Sequence, residues 1–186
     1  MDAANYIDYR AVKKIKIYEG KILIRPLTKK DLSQTIKWLK DPEVNKFLAS
    51  DFKDLTLEKE FDWLKEMNSS LIDFVFAIDE RKSKRYIGNC GMHKVDWENK
   101  SCEFGIVIGD KDYWGKKFGS DTIHAIIRFA FDKLNLLKIK LFVYEYNSRA
   151  INAYTKYGFT IKEILIKDHL YENFYWNTLV MEIKKE

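Results

Sequence analysis

From Phe104 to Phe159 the chain alternates element types in a way that few folds accommodate. A strand (FGIVIG) is followed by a short loop carrying Gly115 and Gly119, a helix behind Ser120 and Asp121 (TIHAIIRFAFDKLN), a second strand (KIKLFVYEY), and a helix closed by Gly-Phe (NSRAINAYTKYGF). A strand that stops at such a loop and restarts as a helix aims several backbone N–H groups at one point, which attracts phosphate. The glycines let the loop curl with no Cβ in the way. Ile123, Ile126, Ile127, Ala130, Phe131 and Leu134 recur at helical spacing, so the helix is amphipathic and directs its positive end at the loop, where Lys116 and Lys117 add charge. By itself this loop also fits an ordinary strand-to-helix turn.

The rest of the chain fits one domain, residues 21–186, behind an extension over 1–20 that carries no chemistry. Lys21–Arg25 reads as a strand stopped by Pro26, and Thr28 with Asp31 resembles a capping box for a helix through Lys40 whose buried stripe is Leu32, Ile36 and Leu39. Asp41-Pro42 breaks it, leaving a loop or short helix. Thr56 opens a second helix with Glu58 and Glu60 in its first turn and Leu57, Phe61, Leu64 and Met67 on its apolar face. From Asp73 the pattern becomes an antiparallel meander (DFVFAID, RYIGNCGMHKV, SCEFGIVI), and residues 160–185 alternate around Tyr171-Glu172-Asn173 as a closing hairpin.

Several function classes are disfavoured. With 46% hydrophobic and 33% charged residues the chain has the composition of a soluble globular protein. No apolar run reaches membrane-spanning length, and the opening residues lack the apolar core of a signal peptide, so a cytoplasmic location without membrane association is expected. The net charge of +5 is spread along the chain without a basic, aromatic-interleaved stripe, so nucleic acid is not an expected partner. Cys90 and Cys102 have neither metal nor redox spacing. A turn at Trp97-Glu98-Asn99-Lys100 sets Cys90 nearer Val107 than Cys102, so no disulfide is expected, and no His, Cys, Asp and Glu cluster predicts a metal.

Tyr113-Trp114-Gly115-Lys116-Lys117-Phe118-Gly119-Ser120-Asp121, followed at the right distance by Asn147-Ser148-Arg149-Ala150-Ile151-Asn152-Ala153-Tyr154-Thr155-Lys156-Tyr157-Gly158-Phe159, resembles two signatures of the GNAT superfamily of acetyl-CoA-dependent N-acetyltransferases. The first is the pyrophosphate loop Q/R-x-x-G-x-G/A, the second N-x-x-A-x-x-x-Y-x-K-x-G-F. Trp114 stands at the first loop position and Lys117 at its central glycine, so Lys117 must adopt a backbone angle natural to glycine. The resemblance implies an α/β (α+β) fold with a mixed, mostly antiparallel sheet of about seven strands and helices on both faces. It implies acetyl-CoA as donor co-substrate, a primary-amine acceptor and direct attack in a ternary complex. The nearest subgroup looks like the ribosomal-protein N-terminal, spermidine and amino-sugar or aminoglycoside acetyltransferases, so a protein N-terminus, a polyamine and an amino sugar all stay open as acceptor. A homodimer is compatible with this reading, and a non-catalytic CoA-binding regulator of the same fold is the alternative.

By the same resemblance, Ile106, Val107 and Ile108 offer backbone groups to pantetheine, the loop from Trp114 through Gly115, Lys116, Lys117, Phe118, Gly119 and Ser120 to Asp121 holds the pyrophosphate, and Asn147, Arg149 and Lys156 contact the pantetheine or nucleotide end. Tyr154 is the candidate acid beside the sulfur. Glu103 is the candidate base: alternation sets it on the face of Gly105 and Val107, where partial desolvation would raise its pKa, and His93 or a water chain is its rival. Acceptor contacts are expected from the 41–63 region, with Trp38, Phe47, Phe52 and Trp63 named.

Overall fold

The computed structural model describes residues 9–186; what was expected of residues 1–8 lies outside them. After a single helical turn, α1 (Tyr9–Val12), come β1 (Ile17–Glu19), β2 (Ile22–Pro26), α2 (Leu32–Leu39), α3 (Pro42–Asn45), α4 (Leu57–Ser69), β3 (Phe74–Glu80), β4 (Tyr86–Asp96) and β5 (Ser101–Ile108). The second half carries α5 (Phe118–Arg128), β6 (Lys138–Tyr144), α6 (Ser148–Lys156), β7 (Thr160–Tyr171) and β8 (Phe174–Lys184). Among the described residues no helix is long and apolar enough to cross a membrane.

The strands form one sheet of eight, in the order β1-β2-β3-β4-β5-β6-β8-β7, antiparallel except where β5 meets β6. The additional strand is β1, which lies in the segment assigned to the extension. Its three residues are too short to show a period, and it turns back through Gly20, at φ 45°, to pair Ile17 with Ile24. The expected hairpin closes the opposite edge. Glu172 and Asn173 take φ 49° and 64° between β7 and β8, the left-handed pair that a two-residue turn needs to match strand twist.

Alternation along β3 divides the core. Phe74, Phe76 and Ile78 join Ile22, Ile24, Ile87, Met92 and the inner faces of α5 and α6, whereas Ala77 joins Leu27, Leu32 and Leu64 beneath α2 and α4. Helices therefore cover both faces. Each side chain so enclosed contributes about 1.5–3 kcal/mol over exposure. Both cysteines are buried and free; Cys90 pairs with Ile106, one residue from the expected Val107.

Thr56 caps α4 by accepting the Lys59 N–H at 3.2 Å. Helix α2 differs from expectation. It starts at Leu32, after an Asp31 whose carboxylate turns back to Thr28 and to Arg25, and its buried residues are Leu32, Thr35 and Trp38 in place of the expected Leu32, Ile36 and Leu39. Arg25 also grips Asp79 on β3, tying strand, helix start and neighbouring strand together. Burial by itself would raise the Asp31 pKa, but the hydrogen bonds from Arg25 and Thr28 outweigh it and the net shift is downward.

Candidate active site

The site exists because β5 and β6 part. Their parallel pairing runs from Ser101–Lys138 to Glu103–Lys140 and stops, while both strands continue, β5 to Ile108 and β6 to Tyr144. Beyond Glu103 the β5 edge has no partner strand on that side, and a cavity of about 750 Å³ fills the gap. Phe104 to Ile108 form one wall and Phe142 to Tyr144 the other, with the start of α5 and the inner face of α6 meeting between them.

The loop at its mouth is built as its sequence requires. Gly115 and Lys117 both take left-handed backbone, φ 71° and 72°, so the lysine does adopt the glycine-like angle. Lys117 is the N-cap of α5, which begins at Phe118 rather than behind Ser120. Gly119 has open space: an added Cβ would meet only Ile108 Cγ1, at 3.8 Å. Trp114 donates its indole N–H to the Ile108 carbonyl at 2.6 Å and carries the Arg149 guanidinium over its ring at 4.4 Å. The indole thereby engages the carbonyl of one of the residues expected to pair with pantetheine. It also holds a cation over the cavity, whose partial burial lowers the Arg149 pKa without removing its charge.

Of the residues singled out from sequence, the cavity brings together Ile106, Val107, Ile108, Trp114, Gly115, Lys117, Phe118, Gly119, Ser120, Asn147, Arg149, Lys156 and Tyr154. Asn147 also caps α6, accepting the Ala150 N–H at 3.2 Å. Lys116 faces an adjoining cleft with Lys21 and Lys82. Asp121 is turned away and accepts the Lys21 N–H at 2.9 Å, latching α5 to the β1–β2 turn.

Tyr154 is 7% exposed and packs on Phe159 with ring centroids 5.7 Å apart. Its hydroxyl has no hydrogen-bond partner among the described residues, and it is not sealed from the cavity. Burial holds its pKa well above the usual tyrosine value, so the phenol keeps its proton.

Glu103 stands elsewhere. It is paired opposite His93, lies outside the cavity lining, and is held by Lys94 at 3.1 Å and Lys140 at 3.2 Å. His93 faces Asp73 at 3.3 Å and is also outside the lining. Among the acceptor candidates, Phe47 lines the cavity with Val44, Leu48 and Ala49. Trp38 instead packs on Tyr86, ring centroids 4.8 Å apart, and under Gly109, while Trp63 belongs to the core beneath α4 and Phe52 lies outside the lining.

Among the lining residues that sequence reasoning passed over is Asp168, the only carboxylate among the described residues that line the cavity. The pairing of β7 with β8 jumps between Leu165 and His169, and Lys167 within the jump has φ 52°. Its sequence signal is Ile164-Leu165-Ile166 followed by Lys167-Asp168-His169, which breaks the two-residue alternation of the strand as a bulge does. Among the described residues no group of three or more His, Cys, Asp and Glu could hold a metal ion.

Comparison with known proteins agrees with this geometry. The family of acetyltransferase (GNAT) domains matches residues 21–160. The chain is 27% identical over 157 residues to an uncharacterized N-acetyltransferase, p20, of Bacillus licheniformis, covering 82% of this chain and 86% of that one. It is 26% identical over 135 residues to the acetyltransferase PseH of Campylobacter jejuni, covering 73% and 80%. The fold superposes with a TM-score of 0.82 on spermidine N-acetyltransferase from Vibrio cholerae, solved with CoA and spermine, at 21% identity and covering 88% and 95% of the two chains. With its split sheet, its glycine-bearing loop and this match across most of its length, the chain belongs to the GNAT family of acetyltransferases.

Proposed function

We propose that the protein moves an acetyl group from acetyl-CoA to a primary amine by direct attack, with both substrates bound at once. The observation that carries this reading is the cavity itself, where the unpartnered edge of β5, the start of α5 and the Tyr154 hydroxyl converge. The residues present fit acetyl-CoA. The edge offers backbone groups to the pantetheine amides, the left-handed turn at Gly115 and Lys117 directs the loop and the positive end of α5 to the pyrophosphate, and the open space at Gly119 admits it. Lys117, Arg149 and Lys156 supply positive charge at that end.

In the transfer, the neutral amine attacks the thioester carbonyl carbon, a C–N bond forms, and the C–S bond breaks. Tyr154, protonated throughout the neutral range, gives its proton to the departing sulfur, and the proton that the nitrogen loses as the amide forms replaces it. Glu103 is not retained as base in this reading, since two lysines engage it outside the cavity.

Tyr154→Phe tests the assignment. The substitution keeps the packing against Phe159, so acetyl-CoA should still raise the melting temperature, whereas amine-dependent thiol release should fall by about 100-fold. An unchanged turnover would remove Tyr154 from the chemistry.

A further inference from the structure

Resting on the acetyltransferase reading, we infer that Asp168 holds the ammonium of the acceptor and takes its proton, and that the acceptor is a monoamine with an apolar or ring-bearing body rather than a polyamine. Three arrangements carry this.

First, the carboxylate is delivered and left uncommitted. Opposite the jump in β7, Lys167 donates its N–H to Asn177 Oδ1 at 2.9 Å, and Asn177 donates its backbone N–H and side-chain amide to the Glu145 carboxylate at 2.7 and 2.9 Å. This brace fixes the bulge and turns Asp168 to the cavity. The buried Thr178 hydroxyl donates to Asp168 Oδ2 at 2.8 Å, leaving Oδ1 for a ligand. Asp168 has no ion pair among the described residues, in contrast to Glu103. A carboxylate held by one neutral donor and facing a cavity suits a cation.

Second, the surroundings suit an ammonium on a carbon body. Tyr144 lines the cavity, and His169 stacks on it with centroids 3.8 Å apart. Tyr146 stacks on Tyr144 and Phe47, joining these two lining residues into one aromatic surface. Val44, Leu48, Ala49 and Leu165 supply apolar lining. Aromatic faces attract a cation through their quadrupole, and apolar walls favour the attached carbon skeleton.

Third, the charge count favours a monoamine over a polyamine. A second or third ammonium would be met by further carboxylates along the lining, and Asp168 is the only one among the described residues there; the other charged lining residues, Lys117, Arg149 and Lys156, are all cations, assigned above to the donor.

In the step assigned to it, Asp168 accepts a proton from R–NH₃⁺, freeing the nitrogen lone pair that forms the C–N bond. The second nitrogen proton, lost as the amide forms, restores the Tyr154 phenol that has protonated the thiolate, and Asp168 releases its proton to solvent.

The experiment compares wild type, Asp168→Asn and Asp168→Glu with glucosamine, phenethylamine and spermidine, reading amine-dependent thiol release across pH and the acetyl-CoA thermal shift of each protein. Asn retains the acceptor oxygen for Thr178, and the thermal shift reports whether each variant is folded and binds donor. Expected is a kcat/KM in wild type higher for glucosamine or phenethylamine than for spermidine. Expected also is a loss of about 100-fold in Asp168→Asn with its thermal shift intact, partial recovery in Asp168→Glu, and a rate in Asp168→Asn that climbs with pH up to the amine's own pKa, since only the already neutral amine reacts. Wild-type kcat/KM and pH profile in Asp168→Asn overturn the role of Asp168. Faster turnover of spermidine than of either monoamine overturns the monoamine assignment. Both results leave the acetyltransferase reading standing, whereas a wild type without amine-dependent thiol release overturns that reading and this one together.

Discussion

Lys117 sits in left-handed backbone, φ 72°, a conformation that costs a residue bearing a Cβ roughly 1–2 kcal/mol. Keeping a lysine there preserves the loop's curl while adding a charge at the mouth of the cavity, at the expense of strain. Gly119, two residues on, poses the opposite case. It lies in the first turn of α5 with ordinary helical backbone, and an added Cβ would touch only Ile108 Cγ1, at 3.8 Å. Nothing in the fold requires glycine at that position; the space above it does. Gly119→Ala should therefore leave the ligand-free protein as stable or about 0.5 kcal/mol more stable, since alanine is the better helix former. It should also weaken acetyl-CoA binding at least tenfold by filling the approach to the backbone. Urea unfolding and a direct binding titration separate the two effects, and undiminished affinity would move the pyrophosphate away from this turn.

At the scale of elements, legibility in the sequence followed range. The closing hairpin and the cap at Thr56 are specified by neighbours in sequence and formed where their residues indicated, whereas the helix behind the loop starts at Phe118, ahead of Ser120 and Asp121. Glu103 shows where that reasoning stops. Alternation along β5 sets its face, but Lys94 from β4 and Lys140 from β6 reach it across the sheet, and no period within one strand reports them. The β7 bulge is the converse: its broken alternation was on view, but the brace that gives it purpose comes from Asn177 on β8 and Glu145 beyond β6. Asn177→Leu should thus cost about 1 kcal/mol, by removing one of the two Asn177 donors to the Glu145 carboxylate and the acceptor of the exposed Lys167 N–H. It should also raise the acceptor KM while acetyl-CoA binding holds, because the bulge orients Asp168 and contributes none of the residues assigned to the donor. An unaltered acceptor KM would mean the bulge keeps its shape without the brace.

At the scale of the whole molecule, the sheet is two blocks. Strands β1 to β5 form one continuous antiparallel run, and β6, β8 and β7 form the other; between them the strand pairing ends at Glu103–Lys140. The same separation that opens the cavity leaves the β5 edge from Phe104 to Ile108 without a neighbouring strand on that side, where only the Ile108 carbonyl, held by the Trp114 indole, is engaged. On the proposed function, pantetheine takes the place of the missing strand. Acetyl-CoA at a hundred times its dissociation constant should stabilise the folded protein by about 2.7 kcal/mol. Hydrogen exchange should then slow selectively over Phe104–Ile108 and the facing stretch of β6, with β2 and β3 little changed, since their amides are already paired within the larger block. A normal thermal gain with exchange in β5 unaltered would mean that the donor binds outside the split. The division of the sheet would then be a feature of the fold without a part in holding it.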